Sequence, residues 1–140
     1  MINTQIKGTN ENGGESLVRV SSKGQMAVGP LTHSTPVNVK AEEPDTAYNL
    51  IAPSAGKQII ITDIVLTANK NVGATDATVD LYEADSVTDT VINRSILQLE
   101  MIKNSSLVLT GLNILANENK WVNVKTDDDD VFATVMYYYL

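Results

Sequence analysis

Four consecutive carboxylates, Asp127, Asp128, Asp129 and Asp130, form the densest group of chemically competent side chains in this chain. Carboxylate oxygens are hard ligands suited to Ca²⁺. Four adjacent aspartates cannot all point at one ion, however, and EF-hand spacing with its bidentate Glu is missing. The run is expected to be a solvated turn, with a weak cation site as the competing reading. His33 is the single histidine. It sits between Thr32 and Ser34 in a polar segment, without the partners of a triad or a metal site. Glu83, Asp85, Asp89 and Glu100 could supply a carboxylate pair for glycoside hydrolysis. The sequence does not place them relative to one another, and residues of this kind are common in loops, so a structural role is the expectation here.

Trp121 and the run Tyr137, Tyr138, Tyr139 could offer a stacking platform, a subunit interface or core packing. Strand alternation puts Tyr137 and Tyr139 on one face and Tyr138 on the other, so at least one face should be core or interface. The sequence has no Gly-rich phosphate loop, Walker motif or dinucleotide fingerprint. Lys57 follows Gly56, but the upstream glycine spacing is missing. An enzyme is not expected, and no catalytic residue, cofactor or cofactor-binding residue is assigned.

The elements that would position these groups are strands. Val131 to Leu140 reads as a strand to its last residue, dominated by β-branched and aromatic side chains. Such a segment should be paired inside a sheet. Ala47–Ile51, Ala77–Glu83, Ser106–Thr110 and Lys120–Thr126 are further strand candidates. Lys57–Asn69 is too β-branched for a comfortable helix, and Asp63 in its middle suggests a bend, a bulge or two strands end to end. Arg94–Lys103 fits either period; its β surroundings favour a strand. Within Ala77–Glu83, Val79 and Leu81 share one face, and Thr78, Asp80 and Tyr82 the other. Leu112–Asn119 reads as a connector.

Residues 1–45 differ in character. Asn10 to Glu15 has no periodicity and is expected to be mobile or draped on a partner. Leu17-Val18-Arg19-Val20 and Gln25 to Pro30 could form a small hairpin around Ser21–Gly24, too small to be stable alone. Its apolar members Leu17, Val18, Val20, Met26 and Val28 are interface candidates, with Trp121 and the three tyrosines. Pro36 and Glu42 to Asp45 mark a linker. The expected organisation is an extended N-terminal arm and linker over 1–45 and a domain over 46–140. Seven or eight short strands at regular spacing predict an all-β, antiparallel β-sandwich, jelly-roll-like.

Composition narrows function. At 140 residues the chain suits one domain with a genuine core. Its net charge of −7 disfavours nucleic-acid partners. It has no cysteine, so disulfides and thiolate metal sites are excluded. The N-terminus lacks the apolar core of a signal peptide, and no run approaches a membrane span.

Taken in order, the polar arm, Leu17–Val20, Gly24–Pro30, Thr46–Pro53, Gly56–Ile64, Ala77–Ala84 and Lys120–Asn123 resemble small accessory structural proteins of tailed-bacteriophage virions. The resemblance implies a compact β-sandwich that decorates the capsid or tail, with an arm crossing neighbouring subunits. It implies a capsid decoration (cement) or head–tail accessory role. The partners would be the major capsid protein or other virion subunits, with no nucleic acid and no membrane. The protein would be made in the host cytoplasm and reside in the virion. Apolar sheet faces and tyrosines beyond the needs of one thin sandwich point to a homo-oligomer, a trimer favoured. The alternative is a tail, baseplate or head-fibre module that binds a host receptor or glycan.

Overall fold

The computed structural model describes residues 6–9, 15–20, 26–27, 34–69, 76–128 and 130–140. The chain divides into two units, Met1–His33 and Ser34–Leu140. In the first unit, β1 (Ile6–Thr9), β2 (Glu15–Val20) and β3 (Met26–Ala27) form an antiparallel sheet in the order β1-β2-β3. Its registers pair Ile6 with Val18 and Arg19 with Ala27. The expected pairing of Leu17–Val20 with the segment after Gly24 is therefore present. The turn at 21–24, the segment 10–14, His33 and Val28 lie outside the described residues.

In the second unit, β4 (Thr35–Ala41), β6 (Ile59–Ala68), β9 (Ser106–Leu109), β10 (Ile114–Leu115) and β12 (Val131–Tyr139) form one antiparallel sheet. Its order is β4-β12-β6, with β9 and β10 sharing the far edge of β6. The facing sheet has the order β5-β11-β7-β8, from β5 (Tyr48–Ile51), β11 (Trp121–Thr126), β7 (Ala77–Ala84) and β8 (Arg94–Met101). The fold is all-β and sandwich-like. Its core gathers Ile61, Ile64, Leu66, Val131 and Val135 from one sheet with Val79, Leu81, Val122 and Val124 from the other.

The expected linker around Pro36 needs correction, because it contains a strand. Thr35 to Ala41 pairs along Val131–Tyr137, and the second unit starts at Ser34 rather than at 46. Thr-Pro-Val-Asn-Val-Lys-Ala alternates, turning Val37, Val39 and Ala41 to the core. Pro36 is tolerated because β4 is an edge strand. The expected connector Leu112–Asn119 likewise contains β10.

Asp63 marks the irregularity its sequence suggests. Met136 pairs with Asp63 but Tyr137 pairs with Ile61, leaving Thr62 as an extra residue in β6. That bulge reverses the alternation. Ile59 and Ile61 face the core before it, and Ile64 and Leu66 after it. Without the extra residue, Asp63 would take a core position. Instead its Oδ1 accepts the Gly111 N–H at 3.2 Å, and Leu112 N–H donates to Thr62 O at 2.7 Å. Gly111 turns there with φ +68°, a conformation glycine adopts without strain, and so separates β9 from β10.

A fragment of residues 34–140 should fold on its own and unfold in one cooperative transition, because the core draws on both sheets of this unit. Circular dichroism during urea titration checks this. An unfolded fragment would contradict the division at Ser34.

Candidate functional site

The aspartate turn has several structural tasks rather than one ligand. Asp127 Oδ1 accepts the Thr78 N–H at 2.7 Å, and Asp127 N–H donates to Thr78 O at 3.2 Å, so this residue fastens the start of β7. Asp128 N–H donates to Thr126 Oγ1 at 3.2 Å. Asp130, at φ +61°, accepts Asn69 N–H on its carbonyl at 3.0 Å and pairs its carboxylate with Lys40 Nζ at 2.7 Å. Lys40 also meets Glu42 at 3.2 Å and lies 5.8 Å over the Phe132 ring. The hydrogen bond to Asp130, then that to Glu42, holds the ammonium above its ordinary pKa. Asp129 is outside the described residues, among which no group of three His, Cys, Asp or Glu side chains gathers as a metal site would require.

The aromatic candidates do not form one platform. Tyr137 and Tyr139 turn inward and pack against the core, their rings 5.4 Å apart and edge to face. Tyr139 donates its hydroxyl to Ala52 O at 2.7 Å, and burial raises its pKa. Tyr138 takes the opposite face, beside Ile60 in the ladder. Trp121 is half-buried at the start of β11, in the other sheet. Leu17, Val18, Val20 and Met26 lie in β2 and β3.

Three of the four carboxylates considered for acid–base chemistry are structural anchors. Glu83 is fully buried. Its Oε1 accepts from the Arg94 guanidinium and from Asn117 N–H at 2.9 Å; its Oε2 accepts from Asn117 Nδ2 at 2.7 Å. Arg94 donates as well to Leu115 O at 2.6 Å. A bulge at Ile96 puts Arg94 opposite Glu83. Asp85 pairs with Lys120, whose ammonium lowers the carboxyl pKa. Asp89 accepts Val91 N–H on Oδ1 at 2.9 Å and Asp85 N–H on Oδ2 at 3.3 Å, closing its own loop. Glu100 is exposed, opposite Thr78.

The loop between β7 and β8 folds over the outer face of its sheet. Tyr82 donates its hydroxyl to Asp89 O at 2.8 Å, and Asn123 Nδ2 donates to Ser86 O at 3.0 Å and to Asp89 O at 3.3 Å. Lys125 Nζ reaches Thr90 O at 3.2 Å and lies 5.8 Å over the Tyr82 ring. Asn49 Nδ2 donates to Asn123 Oδ1 at 3.1 Å, tying in β5. This cover explains why both faces of β7 are buried. Burial pushes the Tyr82 hydroxyl up to about 12. Asp80, 8% exposed between Lys125 and Gln98 in the ladder, keeps one carboxylate oxygen without a hydrogen-bond partner, a local cost of burial.

Val91 and Leu140 are exposed singly, and an apolar margin lies where β8 gives way to β9. Core-facing Leu97, Leu99, Leu107 and Leu109 are only half-buried there. Ile102, 65% exposed, occupies the intervening turn, and Val108, 61% exposed, lies on β9. The sequence carries the signal as alternation in β8, but not the fact that β8 is an edge.

No protein-family model matches this sequence, and no curated protein matches it either.

Two expectations follow from these contacts. Glu83→Ala removes the buried acceptor on which the solvent-accessible Arg94 guanidinium and both Asn117 donors converge, and should cost about 2 kcal/mol by urea unfolding, with Glu83→Gln milder. A loss under ~0.5 kcal/mol would contradict the anchoring role. Tyr82 has a folded pKa of about 12 against 10.0 for the free side chain. Its contribution to stability is therefore intact below pH 10 and is lost as pH rises towards 12. Tyr82→Phe should flatten the alkaline decline in stability; parallel curves for the two proteins would contradict burial of the hydroxyl.

Proposed function

We propose that this chain is a non-enzymatic structural protein of a tailed-bacteriophage virion. Its sandwich decorates or cements the capsid, and residues 1–33 engage neighbouring subunits. The observation that carries the reading is the division of labour between the two units. In the second, the carboxylates, tyrosines and amides singled out above are largely engaged in holding loops to strands, which suits a rigid module and leaves little for catalysis. In the first, strands of four, six and two residues make a sheet of a size that is marginal by itself and gains from a partner surface.

Charge supports the same assignment. Lys7, Arg19 and Lys23 against Glu11 and Glu15 give residues 1–33 a formal +1, so residues 34–140 carry −8 of the total −7. The acidic second unit disfavours nucleic acid, while the less acidic first segment suits an approach to an acidic protein surface. The strand order also supports the jelly-roll reading. With β9 and β10 counted as one position, β4-β12-β6-β9/β10 faces β5-β11-β7-β8, the eight-position double Greek key of that architecture. The partners are the major capsid protein or other virion subunits, reached in the host cytoplasm during assembly. A receptor- or glycan-binding role on a tail or fibre is less well supported, because Trp121 and Tyr138 stand in different sheets.

Shells assembled without this chain should bind the purified protein on co-sedimentation, saturating at a fixed ratio to the capsid subunit. Removal of residues 1–33 should weaken binding at least about tenfold, or ~1.4 kcal/mol. Absence of binding would overturn the virion assignment; undiminished binding would overturn the role of residues 1–33.

A further inference from the structure

The four edges of the sandwich are not equally protected. β4 carries Pro36, and β5 is four residues long with a bulge at Leu50. The edge made by β9 and β10 is broken at Gly111. Such devices blunt an edge against strand addition. By contrast β8 is eight residues long, without Pro or Lys, and no described strand pairs with its outer side. Its bulge is confined to Ile96, and Leu97–Met101 follows Ala77–Leu81 in unbroken register. Leu97, Leu99 and Met101 face the core; Gln98 and Glu100, opposite Asp80 and Thr78, face outward. Behind this edge the core is incompletely covered, since Leu97 and Leu99 on β8 and Leu107 and Leu109 on β9 are all half-buried. The two strands meet through a short turn closed by Ser105 N–H donating to Ile102 O at 3.0 Å.

We propose that two copies of this chain associate edge to edge, β8 against β8, antiparallel about a two-fold axis at Leu99. The occupant is a second copy because this strand complements itself. In the register centred on Leu99, Leu99 meets Leu99 and Leu97 meets Met101 on the core face. Gln98 meets Glu100 on the outer face, an amide donor against a carboxylate. No like charges oppose each other, and Ile96, with its bulge, falls beside the exposed Ile102 at the end of the ladder. Main-chain hydrogen bonds join the two sheets. The symmetric arrangement brings the half-covered Leu97, Leu99, Leu107 and Leu109 margins of both copies together. It is a dimer contact, in place of the trimer that the sequence favoured. It stands independently of attachment to a virion, since it uses a different surface from residues 1–33.

Sedimentation of the full chain, 15.1 kDa, should show a species of about twice that mass at micromolar concentration. The chain has no cysteine, so single cysteines report the register cleanly. Opposed residues of an antiparallel pair have Cβ atoms about 4.5–5.5 Å apart. Leu99→Cys should therefore oxidise to a covalent dimer, whereas Ser95→Cys, displaced from its own copy by about 27 Å, should not. Because Leu99→Cys can weaken the core, exposed Gln98 provides a second test. Gln98→Glu, set against Glu100 twice per dimer, should weaken association about fivefold, and Gln98→Lys should strengthen it by a similar factor. A monomer alone at 100 µM (roughly the upper range where weak symmetric contacts form) would overturn the proposal. So would a trimer, equal effects of both Gln98 variants, or a β8 edge protected only on the capsid shell.

Discussion

The double pairing of β12 is the constraint on which the rest of the second unit depends. Val131–Tyr139 is laddered on one side to β4 and on the other to β6, strands far from it in the chain. That placement turns Val131, Ala133 and Val135 into the core at near-zero exposure and brings Tyr137 and Tyr139 in behind them. Each such burial contributes roughly 1.5–3 kcal/mol for a large apolar side chain. Register is what makes these contributions available, because a slip of one residue would turn Phe132, Thr134 and Met136 inward instead. The Thr62 bulge belongs to the same constraint. It lets one long strand present Ile61 and Ile64 to the same core while Asp63 faces the loop that it anchors.

Polar contacts finish what the ladders begin. Glu83 binds the connector before β11, Asn123 and Tyr82 hold the β7–β8 loop, and Asp127 and Asp130 fix the last turn to β7, Asn69 and Lys40. These are the residues that chemistry would need, and they are largely engaged. The proposed function correspondingly relies on surfaces, namely the short sheet of residues 1–33 and the margin of the sandwich.

Much of this was legible in the sequence, for physical reasons that also mark where legibility ended. β-branched and aromatic content marks β12, and alternation marks β7 and separates Tyr138 from Tyr137 and Tyr139, because side-chain direction in a strand is a period-two property of the backbone. Asp63 marks an irregularity, though not whether a bend, a bulge or a strand break, because a charge in a β-branched run must be turned outward. Pro36 misled: proline reads as a linker unless the strand is known to be an edge, which is a tertiary fact. β10, two residues long, has no periodicity to detect. The anchoring role of Glu83 is not legible because its partners Arg94 and Asn117 lie elsewhere in the chain. Val28 and Asp129 lie outside the described residues. The virion reading arises from resemblance, and the division into two units, their charges and the strand order are what support it.

Electron cryomicroscopy of the assembled particle tests the central claim most directly. The account requires density of a two-sheet sandwich repeating at symmetry-related positions on the particle. Particles with no such density, in a preparation where the chain is abundantly expressed, would contradict it.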